Sequence, residues 1–291
     1  MKSGLEYVLP VGITLAATPL GNIGDASARL RVALHTADVI AAEDTRRTRN
    51  LAAALGVDIT GEVISNFDHN EQARAEMLVE RARTQSVLVV TDAGMPVVSD
   101  PGYSVVARAR EENVPVTCLP GPSAVPTALA LSGLHTGRFC FDGFAPRKDG
   151  ERRRWLEEMV GERRATVFFE SPHRLAATLA VAREILGDSR RVAVCRELTK
   201  LHEEVYVGPL KEVAEWASGG VRGEIVVVVE GASSSSADVD GGVDMSTLVR
   251  IVETRAAGGE RRKAAAKAVA ADYGVSANQL FAAVVAAVGD E

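Results

Sequence analysis

Several short stretches hold the residue types and spacing that could do chemistry. Ala17-Thr18-Pro19-Leu20-Gly21-Asn22 follows an apolar run directly, where a turn containing Pro and Gly can form one wall of a ligand site. Thr91 to Gly102 (TDAGMPVVSDPG) concentrates acids, prolines and glycines into a rigid loop that exposes its backbone. Within it, Asp92 can accept from a ligand's hydroxyl or amino group, while Asp100 before Pro101 is equally a helix N-cap. Leu119 to Ala124 (LPGPSA) opens an Ala-rich stretch, and the first N–H groups of such a helix are available to ligand oxygens. In Phe169 to Arg174 (FESPHR), Ser171 as N-cap and Pro172 at the first helical position explain themselves as a helix start. Glu170, His173 and Arg174 remain for function. Arg196 to Lys200 (RELTK) and Gly223-Glu224 complete the polar set. GxGxxG, Walker A and GxSxG are all absent, so neither a dinucleotide fingerprint, a P-loop nor a nucleophile elbow is supported.

These stretches need elements to hold them. Short β-branched runs alternate with Ala-, Leu- and Arg-rich segments, the pattern of α/β layers with mostly parallel strands. The first set of strands is expected at Gly12 to Ala17, Val39 to Ala42, Glu62 to Ser65, Val87 to Thr91 and Val116 to Leu119. Helices are expected between and after them at Ala26 to Thr36, Thr45 to Leu55, Asn70 to Thr84, Tyr103 to Glu112 and Ser123 to Ser132. A second set follows at Arg138 to Phe144, Thr166 to Glu170, Arg191 to Arg196, His202 to Gly208 and Glu224 to Glu230. The division is thus two α/β domains, 1–133 and 134–231, then a Ser-, Asp- and Gly-rich linker at 232–243 and a helical domain at 244–291. In the last, Gly274 and Ser276 punctuate two helical segments either as a helix-turn-helix or as a hairpin that merely packs on the body. Arg255, Arg261, Arg262, Lys263 and Lys267 favour nucleic acid there.

Composition bounds the class. The 291 residues carry a formal charge of −6, which argues against indiscriminate coating of nucleic acid but leaves room for a local basic patch. No apolar run approaches the roughly 20 residues of a membrane span, and Met1 to Pro10 does not read as a secretory signal, so a cytoplasmic protein is expected. Cys118, Cys140 and Cys195 stand far apart in apolar surroundings, with no CxxC and no His at ligand spacing. They read as buried strand residues, and no metal is expected.

Taken in order, ATPLGNIGD, ADVIAAEDTRRT, TDAGMPVVSDPG, LPGPSAVPTALALSGL, FFESPHRL, RELTKLHEE and GEIVVVVEG resemble the tetrapyrrole methylase-like methyltransferases. Within that superfamily the loop DAGMPVVSDPG with AEDTR, SPHRL and RELTKLHEE is similar to the branch that methylates small-subunit ribosomal RNA. The resemblance implies a cofactor cleft between two α/β domains, S-adenosyl-L-methionine as donor, a homodimer, and 2′-O-methylation of a cytidine in the decoding region of 16S ribosomal RNA. By motif, Pro19, Asp92, Met95, Pro96, Ser123, Ala124, Leu198, Gly223, Glu224 and Ile225 would line the cofactor pocket. AEDTR and SPHRL would face the RNA, with His173 and Arg174 joined by Arg147 and Lys148; Arg152 to Arg154 fit phosphates or simply a solvated helix face. A ribose hydroxyl is a weak acid, so a base would help: the candidates are Glu43, Asp44, Glu170 and Glu197, or Lys200 if a dry neighbourhood lowers its pKa. Glu43 and Asp44 could instead form a structural ion pair with Arg46. The rival functions are a small-tetrapyrrole (precorrin-type) methyltransferase and a non-catalytic nucleic-acid-binding protein.

Overall fold

The computed structural model describes residues 7–66, 71–232, 245–273 and 275–289. They divide into one compact unit up to Gly231 and a second from Ala232 onward. The residues expected to form the linker, from 233, and Gly274 lie outside the described residues.

The first unit contains two five-stranded sheets. In the first, β1 (Gly12–Ala16), β2 (Val39–Ala42), β3 (Glu62–Ser65), β4 (Ser86–Val90) and β5 (Val116–Leu119) lie in the order β3-β2-β4-β1-β5. Every pairing is parallel. The helices α1 (Ala28–Thr36), α2 (Thr45–Ala54), α3 (Glu71–Arg81) and α4 (Tyr103–Glu111) make the crossovers. β2 and β4 are buried along their whole length, as near-continuous apolar runs covered on both faces must be. Alternate residues serve opposite faces: Ile40 and Leu88 pack with Leu30 and Leu34, whereas Val39 and Val87 pack with Leu78 and Val105. Because the strands all run one way, the loops after β1, β2, β4 and β5 emerge at a single edge, where open α/β sheets bind ligands.

From α5 (Ala124–Leu131) the chain enters the second sheet: β6 (Phe139–Phe144), α6 (Asp149–Glu158), β7 (Ala165–Glu170), α7 (Leu175–Leu186), β8 (Arg191–Arg196), β9 (Glu204–Pro209), α8 (Leu210–Ser218) and β10 (Ile225–Val229). The order is β6-β7-β10-β8-β9. Only β6 and β7 pair in parallel; β10 is antiparallel to both β7 and β8, and β8 is antiparallel to β9. The expectation of mostly parallel strands therefore fails in this half. The physical reason is the short 197–203 connection, which cannot supply the dozen or more residues of a parallel crossover. One apolar layer joins Phe168, Leu156 and Leu175 under the sheet, and another packs Val125 and Ala128 of α5 against Val226 and Val228 of β10.

Two helix starts also differ. α7 begins at Leu175 with Arg174 in the capping position, because the N–H groups of Arg174 and Leu175 first close a turn on the Ser171 carbonyl. α4 is preceded by Gly102 at φ 133°, so Asp100 is not its N-cap. Of the three cysteines Cys195 is buried, while Cys118 and Cys140 are half-buried.

In the second unit α9 (Met245–Ala257), α10 (Arg262–Tyr273) and α11 (Ala277–Gly289) pack on one another around Leu248, Val252, Val269 and Leu280. Ser276 caps α11 by accepting from the Gln279 N–H at 3.5 Å. Arg262 and Arg255 pair with Glu253 and Asp272 of the same unit, whereas Arg261, Lys263 and Lys267 stay exposed. Among the described residues no helix is long and apolar enough to cross a membrane.

Candidate active site in the cleft between the sheets

A cleft of about 400 Å³ opens where the carboxyl edge of the first sheet faces the ends of β6, β7 and β10. That volume suits a small-molecule site. Its first wall is the loop after β4, stapled to the loop after β1. Thr18 and Gly94 exchange both backbone hydrogen bonds, at 2.9 and 3.0 Å, and the Thr18 hydroxyl donates to the Thr91 carbonyl at 3.2 Å. The same loop holds Val97 and Ser99 at positive φ, 76° and 64°. For β-branched Val97 this is a strained conformation, and strain of this kind persists only where surrounding structure fixes it.

Three carboxylates line this wall, Glu43, Asp92 and Asp100, and the first two are neighbours. Glu43 Oε2 accepts from the Thr91 hydroxyl at 2.6 Å and from the Asp92 N–H at 3.1 Å, and its other oxygen has no partner among the described residues. Asp92 accepts from the Asp44 N–H at 3.1 Å and pairs with Arg47 at 3.2 Å. Burial and the neighbouring Glu43 charge nevertheless raise the Asp92 pKa above the ordinary carboxylate value, against the pull of Arg47. Also on the first wall are Ser123 and Ala124 at the start of α5, a helix whose first N–H groups receive no side-chain cap.

The second wall comes from the other sheet. Glu170 is buried, with its carboxylate accepting from the Ser171 N–H (2.7 Å) and the Thr178 hydroxyl (2.6 Å) and pairing with Arg174 at 2.5 Å. Glu197 accepts from Lys200 and from the Glu224 N–H, both at 2.9 Å. Those two bonds hold its carboxyl below the usual range. Gly223, at φ 96°, is where the chain passes so close to the Glu197 side chain that a Cβ would collide with it.

Most of the residues expected to form the pocket come together here: Asp92, Met95, Ser123, Ala124, Leu198, Gly223, Glu224 and Ile225 all line the cleft. Pro19 and Pro96 do not; their neighbours Leu20 and Met95 do. Among the candidate bases, Glu43 and Glu170 line it. Asp44 is occupied as the N-cap of α2, accepting from the N–H groups of Arg46 and Arg47, and its ion pair is with Arg46 at 3.3 Å. Glu43 takes no part in that pair, so the purely structural ion-pair reading holds for Asp44 and Arg46 alone. The conditional role of Lys200 fails: burial lowers its pKa, but the bonds it donates to Glu197 and Glu224 outweigh this and leave the ammonium more basic than usual. Arg147 and His173 are exposed, Lys148 is exposed in a pair with Glu151 at 3.0 Å, and Arg174 is turned inward onto Glu170 and the Ala145 carbonyl. Arg152 is buried and Arg153 pairs with Glu184 at 2.7 Å, so these two belong to the helix face rather than to a free cationic surface.

Sequence reasoning missed Arg47 and Phe144, which also line the cleft. The motif AEDTRRT contained Arg47, but only the parallel register of β2 beside β4 brings it opposite Asp92. Among the described residues no group of His, Cys, Asp and Glu could hold a metal ion. Burial pushes the Cys195 thiol up to about 12, which leaves it inert as a nucleophile.

Comparison with known proteins agrees with this architecture. Residues 12–214 match the family model of tetrapyrrole (corrin/porphyrin) methylases. The chain is 54% identical to "Ribosomal RNA small subunit methyltransferase I" of Mycobacterium bovis, over 94% of each chain. It is 37% identical to the protein of that name from Escherichia coli O157:H7, over 96% of this chain and 94% of that one. Solved structures with the same fold include the methyltransferase CobJ (TM-score 0.58, 21% identity, 78% of this chain and 97% of that one) and diphthine synthase (0.56, 15%, 75% and 89%). The chain therefore belongs to the tetrapyrrole methylase family and, within it, to the family of ribosomal RNA small subunit methyltransferase I.

Proposed function

We propose that the protein transfers a methyl group from S-adenosyl-L-methionine, the donor of its family, to the ribose 2′-hydroxyl of a cytidine in the decoding region of 16S ribosomal RNA. The observation that carries this reading is the adjacent acids Glu43 and Asp92 on the first wall of a cleft sized for a nucleoside-bearing cofactor. The residues present fit that group. Asp92 offers a carboxylate to its hydroxyl or amino groups, the first turn of α5 offers backbone N–H groups, and Met95, Leu198 and Ile225 offer apolar surface. When bound, the cofactor supplies a methyl group on a positively charged sulfur.

The chain's own contribution is alignment and proton acceptance. The stapled loops after β1 and β4 fix one side of the cleft, so that a hydroxyl entering from the other can be held in line with the methyl carbon. Glu43, whose second oxygen has no partner among the described residues, accepts the hydroxyl proton as the new oxygen–carbon bond forms and the carbon–sulfur bond breaks. Glu170 is engaged at both oxygens by its partners and lines the opposite wall, while the Lys200 ammonium holds the Glu197 carboxylate. Exposed Arg46, Arg147, Lys148 and His173 meet RNA phosphates. We further take 1–133 and 134–231 as the two domains that share the cleft, and the active species as a homodimer, checked by sedimentation.

The test is transfer of labelled methyl to unmodified small ribosomal subunits and, separately, to naked 16S RNA, followed by nucleoside identification. A 2′-O-methylcytidine product supports the reading. No transfer to either RNA, with cofactor binding intact, overturns it.

A further inference from the structure

Phe144 is out of place by the ordinary rules of burial. It is 61% exposed, yet it ends a strand, lines the cleft, and follows a chain that was bent to put it there. The bend is a bulge: β6 pairs in register as Phe139↔Ala165, Cys140↔Thr166 and Phe141↔Val167, then jumps to Phe144↔Phe169. Two β6 residues, Asp142 and Gly143, thus stand opposite the single residue Phe168. Gly143 adopts φ 71°, the left-handed conformation at which a bulge commonly turns. Bulges of this kind re-aim a side chain, and here the side chain re-aimed is an aromatic ring at the rim of the cleft.

The ring is also held. Phe169, which lines the cleft beside it, meets Phe144 edge-to-face at 5.3 Å and 64°, and is itself braced by Phe141 at 5.0 Å and 63°. Across the rim, the Ser99 hydroxyl lies in contact distance of the Gly143 position, 3.4 Å from where a Cβ would be, so the bulge abuts the loop after β4. Close by in sequence come Arg147 and Lys148, both exposed. A fixed, solvent-facing aromatic at a cleft mouth, with exposed cations a few residues along the chain, has the chemistry that receives an unstacked nucleobase, since every base offers a π-face and its backbone offers phosphates.

Resting on the function proposed above, we infer that Phe144 is the platform on which the base of the target nucleotide stacks, positioning its ribose over the cleft. Phe144 is a substrate-positioning residue, with no role in holding the donor. Its aromaticity matters more than its bulk.

The test compares Phe144→Ala, Phe144→Leu and Phe144→Tyr in the full-length protein, using small ribosomal subunits as substrate and S-adenosyl-L-methionine binding by calorimetry. The expected result is a kcat/KM for subunits about ten- to hundredfold lower for Ala and Leu, restored by Tyr, with donor affinity and sedimentation unchanged throughout. Equal activity of Leu and wild type overturns stacking, and loss of donor affinity in Phe144→Ala makes the ring part of the donor pocket instead. A change of oligomeric state makes it a subunit contact. If wild type itself transfers no methyl to subunits or to naked 16S RNA, the functional reading falls and takes the platform with it. If wild type transfers and Phe144→Ala is its equal, the platform alone falls.

Discussion

On the wall built by the parallel sheet, Glu43 keeps one carboxylate oxygen without a partner among the described residues, and Asp92 is left with a raised pKa beside it. On the wall built by the mixed sheet, Glu170 is engaged by Ser171, Thr178 and Arg174, and Glu197 by Lys200 and the Glu224 N–H. Both walls carry acids at strand ends, but Glu170 and Glu197 are each paired with a cation, whereas Glu43 lines the cleft with no cationic partner among the described residues. A buried carboxylate with all its lone pairs satisfied is a structural part. One that keeps an open oxygen next to a like charge is available to bind or to take a proton. Glu170 and Glu43, the same residue type, thus divide by partner count into mould and chemistry.

The division can be broken most forcefully at Glu43. Glu43→Gln keeps an acceptor for the Thr91 hydroxyl and the Asp92 N–H but cannot take a proton, so kcat is expected to fall about 10²- to 10⁴-fold with donor affinity retained. Single-turnover kinetics with calorimetry checks this, and an unchanged rate moves the proton acceptor elsewhere. Next comes Glu170→Ala, which strands Arg174 and leaves the Thr178 hydroxyl and Ser171 N–H without an acceptor. Because Glu170 is 2% exposed, the loss is expected at about 3 kcal/mol of unfolding free energy, read by denaturant titration. A Glu170→Ala protein with full stability and no activity would put Glu170 among the chemical groups and erase the contrast between the walls.

Asp92→Ala is smaller and sharper. The backbone N–H that supports Glu43 survives the substitution, and the aspartate is only half-buried, so the fold is expected to persist while donor affinity falls about 10- to 100-fold. Unchanged affinity, by calorimetry, sinks the assignment of Asp92 to the donor.

How far the sequence foretold this depends on what kind of information each feature needs. β2, β3, β5 and β8 have the bounds expected from the sequence, since apolar patterning is local. Strand direction is not local: VAVCRE and EIVVVVEG read alike whichever way they run, and only the brevity of 197–203 betrays the antiparallel return. Ser171 carries every local mark of an N-cap, yet Glu170 takes its N–H and the helix starts later, a tertiary outcome that capping statistics cannot see. Lys200 needed its partners to be known before the sign of its pKa shift could be given. Arg47 and Phe144 escaped notice for the opposite reasons, one hidden in a run of arginines and the other re-aimed by a bulge that no residue pattern announces.

The finest test bears on Arg47, which pairs with Asp92 on the first wall. Arg47 lowers the Asp92 pKa that burial and Glu43 raise, so its removal lets that pKa climb further. Protonated Asp92 loses its charge and is a weaker acceptor, so donor binding weakens as pH falls through this raised pKa. In Arg47→Ala the acid limb of donor binding is expected to move to still higher pH. Arg47 is 66% exposed, so the shift is small, about 0.1 to 0.7 pH unit for an interaction of about 0.2 to 1 kcal/mol. Arg47→Lys should recover most of it, and wild type in about 1 M salt should resemble Arg47→Ala, because screening weakens an exposed pair. A shift toward lower pH would mean that Asp92 is not the group whose proton governs the cleft.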